Sequence, residues 1–159
     1  MDVAKVVEET VQKYNIPPHM LHIEITESAL LDEGEKLKEM MKVLKKKGFA
    51  IWLDDFGSGY SSFNTLKDYE FDVVKLDMAF LKGFDTNEKS KVIMKSVVDM
   101  ALSIGMGTLC EGVETKEQAE FLKSIHCEKL QGYLFGKPLA YEEFNKLIGE
   151  DHYVVAEKF

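Results

Sequence analysis

Apolar residues recur along this chain in short runs and in helical stripes, and the two alternate. Val3, Val6, Val7, Val11 and Tyr14 fall at helical spacing, which predicts a helix over residues 2–14 that Asp2 can cap. Residues 15–18 end it, because proline lacks an N–H and disfavours helix in the residue before it. Residues 20–25 (MLHIEI) read as a strand. A second helix is predicted over residues 33–47, with Leu37, Met40, Met41 and Leu44 as its apolar stripe and Gly48 as its stop. Lys45, Lys46 and Lys47 load its last turn, where cations favour the helix dipole, so they need no ligand to explain them.

The pattern continues in the same way. Ala50, Ile51, Trp52 and Leu53 form a buried strand that runs into Asp54 and Asp55, then a turn Gly57-Ser58-Gly59 and a short helix near residues 60–67. Residues 71–76 (FDVVKL) are a strand, 80–84 a loop, and 87–104 a long helix carrying Val92, Ile93, Val97, Met100, Ala101 and Ile104. Residues 106–110 form a strand. Thr115 and Gln118 make a capping-box pattern for a helix over residues 116–125. Residues 127–130 are a weak strand and 141–148 a closing helix, with a polar tail over 151–159. Alternation of this kind implies right-handed βαβ units and a parallel sheet. The expected organisation is one α/β domain over residues 1–150, followed by the tail.

Composition narrows the function classes. The formal net charge is -8 and the sequence pI about 5.1, which argues against a broad DNA-binding or anionic-membrane surface. A small phosphate ligand remains compatible, because a bound metal reverses the local sign. No apolar run is long enough to insert into a bilayer. Cys110 and Cys127 are the only cysteines, too few for a disulfide framework, so a reducing, cytoplasmic setting is expected. His19 and His22 read as ordinary surface histidines, since no third ligand lies near them in the chain.

Acids recur at the strand ends. Glu24 with Glu27, Asp54 with Asp55, Lys75 with Asp77, Glu111 with Glu114, and Gln131 lie in or just after successive strands. In parallel α/β folds the site lies at the C-terminal ends of the strands, so these groups converge on one rim. One acid there is commonly a cap or a solvated turn. Acids after four successive strands point instead to metal-assisted hydrolysis, with hard oxygen ligands suited to Mg²⁺ or Mn²⁺. Adjacent aspartates suit a pair of cations at a phosphoryl centre. Lys75 could bind the attacking hydroxide or a phosphate oxygen, or form an internal salt bridge to Asp54 or Asp55.

The motifs IEITES (23–28), LDDFGSGYSSF (53–63), VVKLDMAFL (73–81), CEGVET (110–115) and QGYLFGKPL (131–139) resemble, in order and interval, those of the EAL-domain cyclic-di-GMP phosphodiesterases. That resemblance covers residues 16–148. It implies a TIM-type (β/α) barrel that hydrolyses cyclic-di-GMP to linear pGpG with Mg²⁺ or Mn²⁺. It further implies Glu24, Asp54 and Asp55 as metal ligands, Lys75 as the lysine that holds the attacking water, and Glu111 as a candidate general base. Gln131, Glu27, Asp77 and Glu114 would support the site or bind substrate, with Glu27 anchoring the loop 56–62. The family's Glu-Ala-Leu segment and a later asparagine ligand have no counterpart here. The resemblance therefore implies an incomplete barrel of about five strands, lacking the first three, with weak activity or none by itself. Its free edges are expected to self-associate or to pair with a complementing chain. A non-catalytic module that binds the dinucleotide or a protein, and a truncated structural fragment, stay open as alternatives.

Overall fold

A computed structural model describes residues 3–58 and 63–149 of the chain. Its elements are α1 (Val3–Lys13), β1 (His22–Thr26), α2 (Glu27–Lys46), β2 (Ala50–Phe56), α3 (Phe63–Asp68), β3 (Val73–Leu76), α4 (Glu88–Ser103), β4 (Gly107–Cys110), α5 (Lys116–Ser124), β5 (Lys129–Leu130) and α6 (Tyr141–Gly149). Every strand pairing is parallel, and the sheet order is β1-β2-β3-β4-β5. The expected α/β alternation is therefore present, with β1 and β5 as the sheet edges among the described residues. A closed TIM barrel has eight such strands.

The sheet face under the helices carries the main core. Ile51, Leu53, Val74, Leu76 and Cys110 are fully buried there, together with Leu44 of α2, Met94 and Val98 of α4 and Leu122 of α5. Truncating one such leucine to alanine costs about 2–5 kcal/mol. The opposite face, the inner one of a barrel, would lie open in a sheet of five strands. Instead Trp52, Val73 and Leu109 form a second cluster and are only 8%, 6% and 6% exposed. The His22 ring stacks on Trp52 at 4.1 Å between centroids, and Lys129 Nζ lies 5.9 Å from the same ring. His22 is thus a cover for an apolar floor.

Some boundaries differ from the sequence reading. Helix α2 includes a helical segment from Glu27, directly after β1, ahead of the helix expected from residue 33. Gly34, at φ 38° and ψ -116°, kinks it, and the regular apolar stripe is legible only after that kink. The expected loop 80–84 overlaps a 3-10 turn, Met78–Leu81, capped by Asp77. In α4, Val92, Ile93 and Ile104 are exposed and Met94, Val97, Val98 and Ala101 are buried, so the buried stripe is rotated from the expected one. The Thr115–Gln118 capping box is present in full. The expected cap at Asp2, the helix start at residues 60–62, Gly59 and the tail 151–159 lie outside the described residues.

Candidate active site

Strand β2 supplies two carboxylates to one face, and a bulge is the reason. Leu53 pairs with Val74 and Phe56 with Leu76, so three steps along β2 match two along β3. Leu53 and Phe56 both stay on the core side, at 0% and 3% exposure. A regular strand would send Asp54 and Asp55 to opposite faces. The extra residue changes this, and Asp55 takes φ 58°, the left-handed region that aspartate tolerates better than most residues. Ligand oxygens of Asp54, Asp55 and Glu111 consequently all lie within 4.8 Å of one another.

Lys75 lies at the centre of the acids. Strand β3 is buried along its whole length, and Lys75 itself is 5% exposed. Its ammonium lies 2.8 Å from Asp54 Oδ1, 2.9 Å from Glu24 Oε2 and 3.0 Å from Glu111 Oε1. Beneath it lies the apolar floor of Trp52, Val73 and Leu109. Burial pushes the Lys75 pKa down, but the close carboxylates of Asp54, Glu24 and Glu111 outweigh it and hold the group above the ordinary lysine value. The internal salt bridge anticipated from the sequence thus goes to Asp54, and to two more acids besides.

The charge of the cluster remains uneven. Glu24, Asp54, Asp55 and Glu111 face a single ammonium among the described residues. Asp54 Oδ1 is buried and makes no well-directed hydrogen bond, although the ammonium is close. An all-oxygen donor set with surplus negative charge and an under-bonded carboxylate oxygen fits a hard divalent cation.

The other strand-end residues lie around this cluster. Glu27 is buried at 5% exposure in the first turn of α2, where the helix dipole favours a carboxylate. Asp77 Oδ1 accepts a hydrogen bond from the Ala79 N–H at 2.8 Å, so its carboxylate caps the 3-10 turn. Glu114 is exposed, and its backbone N–H donates to Gln118 Oε1 at 2.8 Å. Gln131 is exposed just past β5. Its backbone is fixed between Cys110 and Val113, with its N–H donating to Cys110 O at 2.9 Å. The cluster therefore unites Glu24, Asp54, Asp55, Lys75 and Glu111, with Asp77 and Glu27 in adjoining turns and Glu114 and Gln131 exposed after β4 and β5.

Two features escaped the sequence reading: the Trp52 floor under Lys75, and the bulge that unites the aspartates. An Asp-Asp pair at a strand end, followed at once by Gly-Ser-Gly, was the signal available for the bulge. Cys110 and Cys127 are buried free thiols, as expected for Cys127. Desolvation raises both pKa values, so neither is an activated nucleophile.

Known proteins share this sequence pattern and fold. The EAL domain family profile matches residues 2–138. The chain is 38% identical over 128 residues to the probable cyclic di-GMP phosphodiesterase PdeG of Escherichia coli K12, covering 80% of this chain and 25% of that protein. Among solved structures, the PaMucR phosphodiesterase in complex with c-di-GMP superposes with a TM-score of 0.81 at 30% identity, covering 89% of this chain and 57% of that one. Klebsiella pneumoniae BlrP1, solved at pH 9.0 with manganese and cy-diGMP, gives a TM-score of 0.80 at 28% identity, covering 86% and 35%. Curated relatives are longer: the chain spans 16% to 25% of their length. No described helix is long and apolar enough to cross a membrane. Five parallel strands with acids at one rim, the motif series and these likenesses converge, and the chain belongs to the EAL domain family.

Proposed function

We propose that the strand-end cluster is the hydrolytic centre of a cyclic-di-GMP phosphodiesterase that yields linear pGpG. The observation that carries this reading is the convergence of Asp54, Asp55 and Glu111 oxygens within 4.8 Å. In this reading Glu24, Asp54 and Asp55 hold the divalent cation, Mg²⁺ or Mn²⁺. When bound, such a cation would polarise a phosphoryl oxygen and lower the pKa of water.

The chain's own residues do the remaining work. Glu111 accepts the proton of the water that attacks phosphorus, as one P–O bond of the macrocycle breaks. The Lys75 ammonium, held above its ordinary pKa, stays charged at neutral pH and can donate to the attacking water or to a phosphate oxygen. The Trp52 floor lowers the local dielectric and strengthens each of these interactions. Asp77 and Glu27 steady the turns beside the site, while Gln131 and Glu114 are assigned to substrate binding or site support, a role their exposed side chains allow. The edges β1 and β5 are where further strands would add, and pairing there with a complementing chain or a second copy is part of the proposal. Two buried free thiols suit a cytoplasmic setting.

The test is to incubate the chain with cyclic-di-GMP and Mn²⁺, alone and mixed with a chain carrying three further barrel strands. Formation of pGpG, lost on Asp54→Asn, is the expected result. Cyclic-di-GMP binding without product under both conditions would favour the non-catalytic module instead.

A further inference from the structure

The 3-10 turn Met78–Leu81 lies between the two loops that carry the acids. It enters directly from β3, and backbone bonds join that entry to both neighbours. The Asp77 N–H donates to Phe56 O at 3.1 Å, one residue beyond Asp55, and the Glu111 N–H donates to Leu76 O at 3.0 Å. Asp77 then caps the turn through Ala79.

Two side chains of this turn press against glycines on opposite sides. Gly57, at φ 96°, lies two residues after Asp55, and a Cβ there would fall 2.1 Å from Phe80 Cε2. Gly112, at φ 71°, directly follows Glu111, and a Cβ there would fall 2.5 Å from Met78 Cβ. Positions i and i+2 of a 3-10 helix point in different directions, which lets one turn bear on two loops. Both glycines are therefore required twice, for their left-handed backbone and for the close approach. Phe80 is partly buried against the main core and the adjacent Leu81 is 7% exposed, so the turn is anchored from below.

We propose that this turn is a spacer that sets the separation between Asp54–Asp55 and Glu111, with Phe80 and Met78 as positioning residues. The inference rests on the metal-site reading above. Phe80 bears on the loop after the double aspartate, and Met78 bears on the loop after Glu111. Neither is among the residues assigned to hold the cation. Removing either lets one loop relax toward the space vacated, and a carboxylate cluster loses cation affinity when its supporting side chains are lost.

The experiment is Mn²⁺ binding to the full 159-residue chain, followed by the loss of the free-ion EPR signal. Phe80→Ala, Phe80→Leu, Met78→Gly and the remote exposed Val92→Ala are compared below their melting temperatures. Phe80→Ala is expected to weaken Mn²⁺ binding about tenfold or more, with Phe80→Leu recovering most of it. Met78→Gly, which removes the Cβ that abuts Gly112 at a half-exposed position, is expected to weaken it several-fold, and Val92→Ala not at all. If the unaltered chain binds Mn²⁺ and both Phe80→Ala and Met78→Gly bind within about twofold of it, the spacer is overturned while the metal site stands. If the unaltered chain binds no Mn²⁺, the metal-site reading falls and the spacer falls with it.

Discussion

Asp54 and Asp55 are consecutive in β2, yet their carboxylates reach the same point as Glu111, because Asp55 adopts φ 58° at a bulge. The left-handed conformation costs a non-glycine residue about 1–2 kcal/mol, and two like charges side by side add to that. Backbone strain of this kind concentrates at functional sites.

Substitution at position 55 tests the strain. In a chelator, Asp55→Gly is expected to raise stability by about 1 kcal/mol, since it removes both the conformational cost and the charge. Asp55→Asn should fall between Gly and Ala, and Asp55→Val should be the least stable because a β-branched residue resists this conformation. Urea denaturation gives the order directly. A valine variant as stable as the glycine variant would contradict the assigned backbone strain.

Removal of the central cation tests the charge arrangement. Lys75→Met leaves Glu24, Asp54 and Glu111 without their shared ammonium. A loss of about 3–5 kcal/mol is expected in a chelator. Mn²⁺ should recover more stability in this variant than in the unaltered chain, because the ion takes over the missing positive charge. Thermal melts with and without Mn²⁺ measure both effects.

The pH dependence has a definite sign. The Lys75 pKa is raised in the folded state, as are those of Cys110 and Cys127. Each group then keeps its proton in the folded chain at a pH where the unfolded chain has lost it. Their stabilisation is complete below the unfolded values, about 8.5 for cysteine and about 10.4 for lysine, and is lost as pH rises beyond them. Urea midpoints measured in chelator should hold near pH 8 and decline on the alkaline side, first through the thiols and then through Lys75. At pH 8 both thiols should react slowly with a disulfide reagent until urea exposes them.

Gly132 and Gly136 form a matched pair of probes on the segment after β5. A Cβ on Gly132 would meet Val113 O at 2.1 Å and Val113 N at 2.3 Å, whereas one on Gly136 meets nothing within 4 Å. Gly132→Ala is expected to cost about 2–4 kcal/mol, because it forces apart the backbones that follow β4 and β5. Gly136→Ala should change stability by less than about 0.5 kcal/mol. Equal melts for the two variants would contradict the close approach at Val113.

Much of the fold was legible in the sequence because the apolar runs were short, dense and regularly spaced. The core strands around Ile51, Val74 and Leu109 and the Thr115 capping box needed only local pattern. The strand-end acids were legible for the same reason, since a strand's end fixes where its last side chains stand. Other features depend on groups distant in the chain. The face of α4 rotated because Met94 and Val98 pack under the sheet while Val92 and Ile93 do not, and periodicity alone admits either choice. Helix α2 hid its first turn behind Gly34. Gln131 and Glu114 carry the right residue types at the right intervals, and both side chains are exposed.

The most direct measurement is to locate Mn²⁺ by its paramagnetic broadening of backbone amide signals in the 18.1 kDa chain. At substoichiometric Mn²⁺, the amides around Asp54, Asp55, Lys75 and Glu111 should broaden first, and Asp54→Asn should abolish that selectivity. Broadening spread evenly over exposed acids such as Glu35, Glu39 and Glu88, and unchanged by Asp54→Asn, would contradict a cation site at the strand ends.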